Sequence, residues 1–396
     1  MGRILFAWEL GSNFGHLARD LRVAGQLQRV GHEVLFAVRD TRIASEILAP
    51  HGFSFVQAPI SSPAARLVRP LASYAEILLA EGWGDRTGLL GRLSAWRSLI
   101  SLTRPSVLVA DHAPSALLAA KVTHMPAVAF GNGFEIPPSI SPFPSFRSWE
   151  RTPSAWLEQS ESMVFGTINS VMKTLGADPL ESVSGLFPQT CLLATFAELD
   201  HYGMRLDADY IGSIHGLETA DAIDWPKGDG TRVFAYLRPG HHPTSTALAA
   251  LAGSNFRTIC AAPGADRAFL ENHNSPNLSI HPGPVAFDPS LSSDGIMIHY
   301  GGIGTMAMGL MSGVPQIVIP KTVEQFICAR RISSLGAGIA LPAKVNKGAI
   351  HAALAEINAD SSYRKAARNF ADKYRLCDPK TSTLRAAEAI IATSSN

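Results

Sequence analysis

The sequence predicts an α/β protein built from two doubly wound units, each a parallel sheet with helices on both faces. Three observations predict this. Strand-like and helical runs alternate from Ile4 to Phe130, and the same grammar returns after residue 232. Between the two lies a stretch, Arg205 to Lys227, broken by Gly212, Gly216 and Trp225-Pro226. With 396 residues, the chain can hold two domains at about 100–200 residues each. The boundary falls near residue 215, giving domains 1–215 and 216–396.

Each element follows from local pattern. Ile4 to Trp8 is an apolar strand. Leu17, Leu21, Ala24, Leu27 and Val30 recur at helical spacing, and Gly31 ends that helix. Glu33 to Val38 is the next strand and Ile43 to Leu48 the next helix. Ser106 to Ala110 and Ala127 to Phe130 are strands joined by a helix over Ala113 to Thr123. In the second half, Arg232 to Leu237, Arg257 to Ala261, Ile296 to Ile298 and Gln316 to Ile319 read as strands. Thr244 to Ala252, Thr305 to Ser312, Gln325 to Leu335 and the tail from Lys347 to Ser394 read as helices. Ile60 to Ser101 and Gly131 to Ser160 break the pattern. They carry Trp83, Trp96, Phe134, Phe143, Phe146, Trp149 and Trp156, and are expected as insertions at the ligand-facing ends of strands.

Composition narrows the function. Apolar residues make up 46% and charged residues 17%, too apolar for disorder. The 34 basic and 33 acidic residues leave +1, with no basic run to track a nucleic-acid backbone. Nucleic acid is not an expected partner. Cys191, Cys260, Cys328 and Cys377 stand apart without a C-x-x-C pair, so they are expected reduced and buried. The run Ile4 to Trp8 is too short for a signal peptide, and no stretch of about 18 apolar residues occurs. A cytoplasmic chain is expected, without a transmembrane helix. Its slightly positive mean hydropathy leaves room for a peripheral membrane contact.

Two glycine turns carry the chemistry. His299-Tyr300-Gly301-Gly302-Ile303-Gly304-Thr305 follows one strand and opens a helix. Such a turn offers backbone N–H groups and the positive end of a helix dipole to a phosphate, and Thr305 is expected to cap the helix. Glycines alone fit a ligand-free turn equally well. Gly11-Ser12-Asn13-Phe14-Gly15-His16 follows the first strand, but the dinucleotide spacing G-x-G-x-x-G is absent. His16 reads as a general base or as a plain helix-start residue. Asp111, at the end of a later strand, is placed to orient it, with His112 as a neighbour. Asp207-Ala208-Asp209 is formally D-x-D but lies in the interdomain stretch.

The block from His299 through Gly313-Val314-Pro315, Pro320, Glu324-Gln325, Arg330 and Gly336-Ala337-Gly338 resembles the donor-binding signature of family 1 glycosyltransferases. The bacterial natural-product branch, with HHGG-x-GT…GVP…P-x-x-x-DQ, is the nearest in pattern. The resemblance implies a GT-B fold: two Rossmann-like domains whose parallel sheets face a central cleft, with a C-terminal helix able to cross back to the first domain. It implies that His299, Tyr300, Gly301, Gly302, Gly304 and Thr305 surround the donor's diphosphate, and that Glu324 and Gln325 bind its sugar. Arg238, in the turn before His241-His242, would meet a phosphate, and Pro284 to Phe287, chiefly Pro284 and Val285, would wall the base. His16 and Asp111 match the family's catalytic pair. Asn13, Phe14, Trp83 and Phe134 are the acceptor-side candidates.

The chain departs from the family pattern. Tyr300 replaces a second histidine, Glu324 an aspartate, and Met308 stands where plant and animal members carry a ribose-binding glutamate. Arg19 stands where many members have proline, a change expected to affect only the helix start. The implied activity is inverting transfer, without metal or other cofactor, from a UDP- or dTDP-sugar to a hydroxyl of an apolar natural product or lipid. The implied assembly is a monomer or homodimer. Two alternatives share the architecture: a sugar-nucleotide 2-epimerase, and a non-catalytic helper that binds the sugar nucleotide.

Overall fold

The structure, a computed structural model, describes residues 2–11, 14–61, 69–215 and 223–395. It divides into two compact units: Met1–Ile214 with Pro379–Asn396, and His215–Asp378.

In the first unit the strands are β1 (Arg3–Trp8), β2 (Glu33–Val38), β3 (Ser54–Gln57), β4 (Val107–Asp111), β5 (Ala127–Gly131), β6 (Thr190–Leu193) and β7 (Asp209–Tyr210). Among the described residues they form one parallel sheet in the order β3-β2-β1-β4-β5-β6-β7. Its central strands are continuous apolar runs because helices cover both faces. The helices are α1 (Gly15–Arg29), α2 (Thr41–Ile47), α3 (Tyr74–Ala80), α4 (Arg86–Thr103), α5 (Pro114–Val122) and α6 (Ser154–Thr174).

Ile60 to Ser101, expected as an irregular insertion, instead carries α3 and most of α4. Leu89, Leu93, Trp96 and Ile100 form the buried face of α4, and Gly88 and Gly91 mask that periodicity in the sequence. The inserted aromatics Trp83, Trp96, Phe134, Phe143 and Phe146 are core residues.

In the second unit the strands are β8 (Arg232–Tyr236), β9 (Arg257–Ala261), β10 (Leu278–His281), β11 (Ile296–His299), β12 (Gln316–Val318) and β13 (Gly338–Ala340). They form a parallel sheet in the order β10-β9-β8-β11-β12-β13. The helices are α7 (His242–Ala252), α8 (Arg267–His273), α9 (Leu291–Asp294), α10 (Ile303–Met311), α11 (Val323–Ser334), α12 (Lys347–Ala359) and α13 (Ser361–Lys373). The sequence reading missed β3, β6, β7, β10 and β13, each four residues or fewer. A strand that short has no measurable period.

The last helix, α14 (Pro379–Ser394), corrects the second domain boundary. It belongs to the first unit, where Ala386, Ala387 and Ile390 share a core with Leu17, Val23, Ala24, Leu27, Val109 and Val128. Both halves are thus doubly wound α/β units, as the resemblance implies. Among the described residues, no helix is long and apolar enough to cross a membrane. Cys191, Cys260, Cys328 and Cys377 are free thiols, and Cys191 and Cys377 are only half-buried.

Candidate active site

Strand order locates a site in each unit. The chain leaves β1 toward β2 on one side and returns to β4 on the other, so the crevice beyond the carboxyl ends of β1 and β4 is a switch point. In the second unit the corresponding pair is β8 and β11.

His16 and Asp111 occupy the first switch point. Register sets Trp8 opposite Asp111, and the Leu10 N–H donates to the His112 carbonyl at 3.0 Å. The chain then turns into α1 and His16 folds back over Trp8, ring centroids 5.5 Å apart. Gly11 permits this: its φ is +85°, and a Cβ there would lie 2.6 Å from His16 Nε2. His16 Nδ1 is 2.9 Å from both Asp111 carboxylate oxygens. That contact fixes the tautomer with the proton on Nδ1 and leaves Nε2 as the basic nitrogen.

The electrostatics follow from burial. Asp111 is wholly buried and His16 side-chain exposure is 15%. Burial alone would push the Asp111 carboxyl up, but Arg19 first and His16 second hold it well below the ordinary range. Burial works against a charged His16, and Asp111 outweighs it, with Glu135 adding to the same side; the imidazole is raised above 6.5. His112 is the reverse case. Burial and the nearby His16 push it down to about 3, so it stays neutral.

Arg19 corrects an expectation. α1 starts at Gly15, before Arg19, so this residue does not set the helix start. Its guanidinium turns inward, with Nη2 2.6 Å from Asp111 Oδ1 and the group 4.8 Å above the Phe130 ring. Glu135 completes the cluster from the loop after β5, where its Oε2 accepts the Asn132 N–H at 2.9 Å. Arg205 braces that loop by donating to the Ile136 carbonyl at 2.9 Å and to Asp200 at 2.8 Å.

Of the acceptor-side candidates, Asn13 lies outside the described residues. Phe14 is half-buried at the N-cap of α1. Phe134 packs 6.5 Å from His112, close to the His16 cluster. Trp83 is a correction: at 1% exposure it is a core ring with no face left for an acceptor. It lines a cavity of about 10 Å³ with Glu9 and Arg92. Glu9 there is pushed up to about 7 by burial.

The second switch point holds the glycine turn. α10 begins at Ile303, two residues before the sequence reading placed it. Gly302 is its N-cap and no side chain caps it. Thr305 is therefore the third residue of the helix rather than its cap. The N–H groups of Ile303, Gly304 and Thr305 have no intrahelical acceptor and carry the positive end of the dipole. Gly301 has φ +90°, and a Cβ there would meet Val318 Cγ1 at 2.9 Å and the Gln325 carbonyl at 3.0 Å. The turn thus lies flat against the start of α11.

His299 is not a phosphate donor in this arrangement. Its Nδ1 accepts the Gly301 N–H at 2.9 Å, and its Nε2–H donates to Gln316 Oε1 at 2.7 Å. The Gln316 amide in turn donates to the Met306 carbonyl at 2.9 Å. Burial pushes His299 down to about 4, so it is a neutral strut beneath the turn. Tyr300 is also turned inward. Its hydroxyl meets Thr244 Oγ1, which donates to the Arg238 carbonyl at 2.6 Å.

Positive charge comes instead from the flanking strands. Arg238 follows β8 and Lys321 follows β12, the two neighbours of β11. Lys321 is lowered by burial and then by Arg238. His241, whose ring lies 5.1 Å from Tyr300, is lowered by burial and then by Lys321 and Arg238. The positive charges of Arg238 and Lys321 thus lie close together, and an anion would be favoured between them. Gln325 closes a capping box: its Oε1 accepts the Lys321 and Thr322 N–H groups, and its own N–H donates to Thr322 Oγ1. Glu324 stands in the first turn of α11. Val285 and Phe287 pack against Phe234, and Pro284 is exposed beside them. Asp209 of the D-x-D pattern is paired with Arg385 at 2.9 Å.

Sequence reasoning missed Arg19, Glu135, Gln316, Thr244 and Lys321. Gln316 left a trace, as an amide opening an otherwise apolar strand.

Known proteins agree with this architecture. Residues 287–388 match the C-terminal domain of the erythromycin biosynthesis protein CIII-like family. A PGL/p-HBAD biosynthesis glycosyltransferase of Mycobacterium tuberculosis is 24% identical over 94% of this chain and 88% of its own. An L-demethylnoviosyl transferase of Streptomyces niveus is 36% identical over 19% of this chain and 21% of its own. A sterol 3-beta-glucosyltransferase of Kluyveromyces lactis is 31% identical over 24% of this chain. The matched stretch spans only 8% of that protein's length. The crystal structure of CalG4, the calicheamicin glycosyltransferase, superposes with a TM-score of 0.74 at 20% identity, covering 100% of this chain and 98% of that one. The chain shares the two-sheet α/β fold of the CalG4 glycosyltransferase structure, and the relatives it is similar to are glycosyltransferases. The erythromycin-CIII-like match begins partway through the second unit and runs into α14.

Proposed function

We propose that this protein transfers a sugar, with inversion and without a metal ion, from a UDP- or dTDP-sugar to a hydroxyl of an apolar natural product or lipid. The observation that carries the reading is the His16–Asp111 pair at the first switch point, 2.9 Å apart with Nε2 left basic. The acceptor hydroxyl gives its proton to Nε2 as its oxygen attacks the anomeric carbon. The bond from that carbon to the diphosphate breaks, and the nucleoside diphosphate leaves. The uncapped start of α10, with Arg238 and Lys321, stabilises the charge that builds on the leaving group.

The test is His16→Ala in the whole protein. Loss of a general base costs about 10²–10⁴ in kcat. Donor binding, read as a thermal shift with UDP-, dTDP- and GDP-sugars, should be unchanged, and a donor at about 100 times its Kd adds about 2.7 kcal/mol to stability. Near-full transfer by the variant sinks the mechanism. Donor binding without any His16-dependent transfer or hydrolysis would point to a binding helper instead.

A further inference from the structure

We infer that Arg19 is a positioning residue that sets the working pH of His16, by sharing the Asp111 carboxylate with it. This rests on the reading of His16 as the base. Two basic side chains face one buried carboxylate: Arg19 Nη2 lies 2.6 Å from Asp111 Oδ1, and His16 Nδ1 lies 2.9 Å from both oxygens. Arg19 is 7% exposed and Asp111 is fully enclosed, so water does not screen the contact.

A His–Asp pair standing alone would let the carboxylate spend its whole charge on the imidazolium. Such a histidine holds its proton more tightly and is a poor base near neutral pH. Arg19 counters this in two ways. It neutralises part of the Asp111 charge, and it places a fixed positive charge near the ring. It also pins one carboxylate oxygen, which limits rotation of Asp111 and so the direction in which Nε2 points.

The other groups facing His16 do not supply this function. From α1, Asp20 is buried 3.7 Å from Arg19 Nε, and burial first and Asp111 second raise its carboxyl well above the ordinary range. From the end of β4, His112 is neutral. From the loop after β5, Glu135 favours the charged imidazole. Trp8, from β1, offers only a ring face. Arg19 is the cation opposing Asp111 and Glu135 among these described groups.

The experiment follows His16 itself as well as turnover. Whole-chain protein with labelled histidine is titrated by NMR as wild type, Arg19→Met and Arg19→Lys, and the pH profile of kcat/KM is recorded for each. In Arg19→Met the His16 titration and the acidic limb of kcat/KM should both move to higher pH. Activity should then recover at high pH. Arg19→Lys, which keeps the charge, should stay nearer wild type. If Arg19→Met does not fold, Arg19→Gln replaces it. An unmoved His16 titration in a folded neutral variant overturns the inference, as does equal behaviour of the Lys and neutral variants. A shifted titration with an unshifted rate profile upholds the role of Arg19 and overturns His16 as the base.

Discussion

His299 and Gln316 show how one side chain can look like a ligand and act as a support. In sequence, a histidine before two glycines invites a phosphate contact. In the structure both ring nitrogens are spent on Gly301 and Gln316, and the ring is 1% exposed. Gln316→Leu would keep the volume but strand the buried His299 Nε2–H. A buried unsatisfied group costs about 1–3 kcal/mol. The expected outcome is that loss in denaturant unfolding, together with weaker donor binding as the turn loosens. Unchanged stability would show that His299 is held by something else. The pH dependence has a definite sign. Folded His299 titrates at about 4, below the 6.5 of an unperturbed ring, so the unfolded chain takes up its proton first. The contribution is present above 6.5 and is lost as pH falls toward 4. Glu9, raised to about 7, acts in the opposite sense, so net stability does not isolate either group. Direct titration of the His299 ring does, and it should remain neutral at pH 5.

At the scale of elements, helix starts decide the chemistry. α10 and α11 begin side by side at the carboxyl end of the second sheet and are finished differently. α11 has a complete capping box between Thr322 and Gln325. α10 has none among the described residues, so its first N–H groups face outward for an anion. The box also fixes the backbone of Lys321 and the start of the segment carrying Glu324. Thr322→Ala should therefore cost about 1 kcal/mol of stability and raise the donor KM with little change in kcat. A lower kcat with an unchanged KM would place α11 outside donor binding. Capping was partly legible: T-x-x-Q at Thr322 and Gln325 is a capping-box signature in the sequence. The sequence reading instead gave Gln325 to the sugar. Its Oε1 is committed to the backbone in this structure, so any sugar contact falls to its amide group.

At the scale of the whole chain, the decisive feature is the return of α14. The first unit's core is completed by residues more than 350 positions after its first strand, with Ile390 fully buried among Leu17, Leu27 and Val128. A carboxylate cannot be buried there without a partner. Ile390→Asp should cost about 3 kcal/mol or more, read as a lower Tm and lower soluble yield. If the variant melts like wild type, α14 is not part of the first core.

The chain's long central strands and the glycine turn were legible because each is written in adjacent residues: a continuous apolar run, a helical period, HYGGIGT. His16 and Asp111 were legible only as a helix-start residue and a strand-end residue. Short edge strands such as β10 and β13 were not legible, since three or four residues carry no period. Nor was α4, whose glycines obscure its buried face. Periodicity and local motifs thus determined, by themselves, a doubly wound α/β chain in two halves and the two glycine turns that open helices after its strands. Tertiary structure alone decided that Arg19 shares Asp111, that His299 supports the turn instead of lining it, and that Trp83 is core. The physical reason is the same in each case. These depend on which side chains meet across elements far apart in sequence, and burial then sets their charge and their hydrogen bonds.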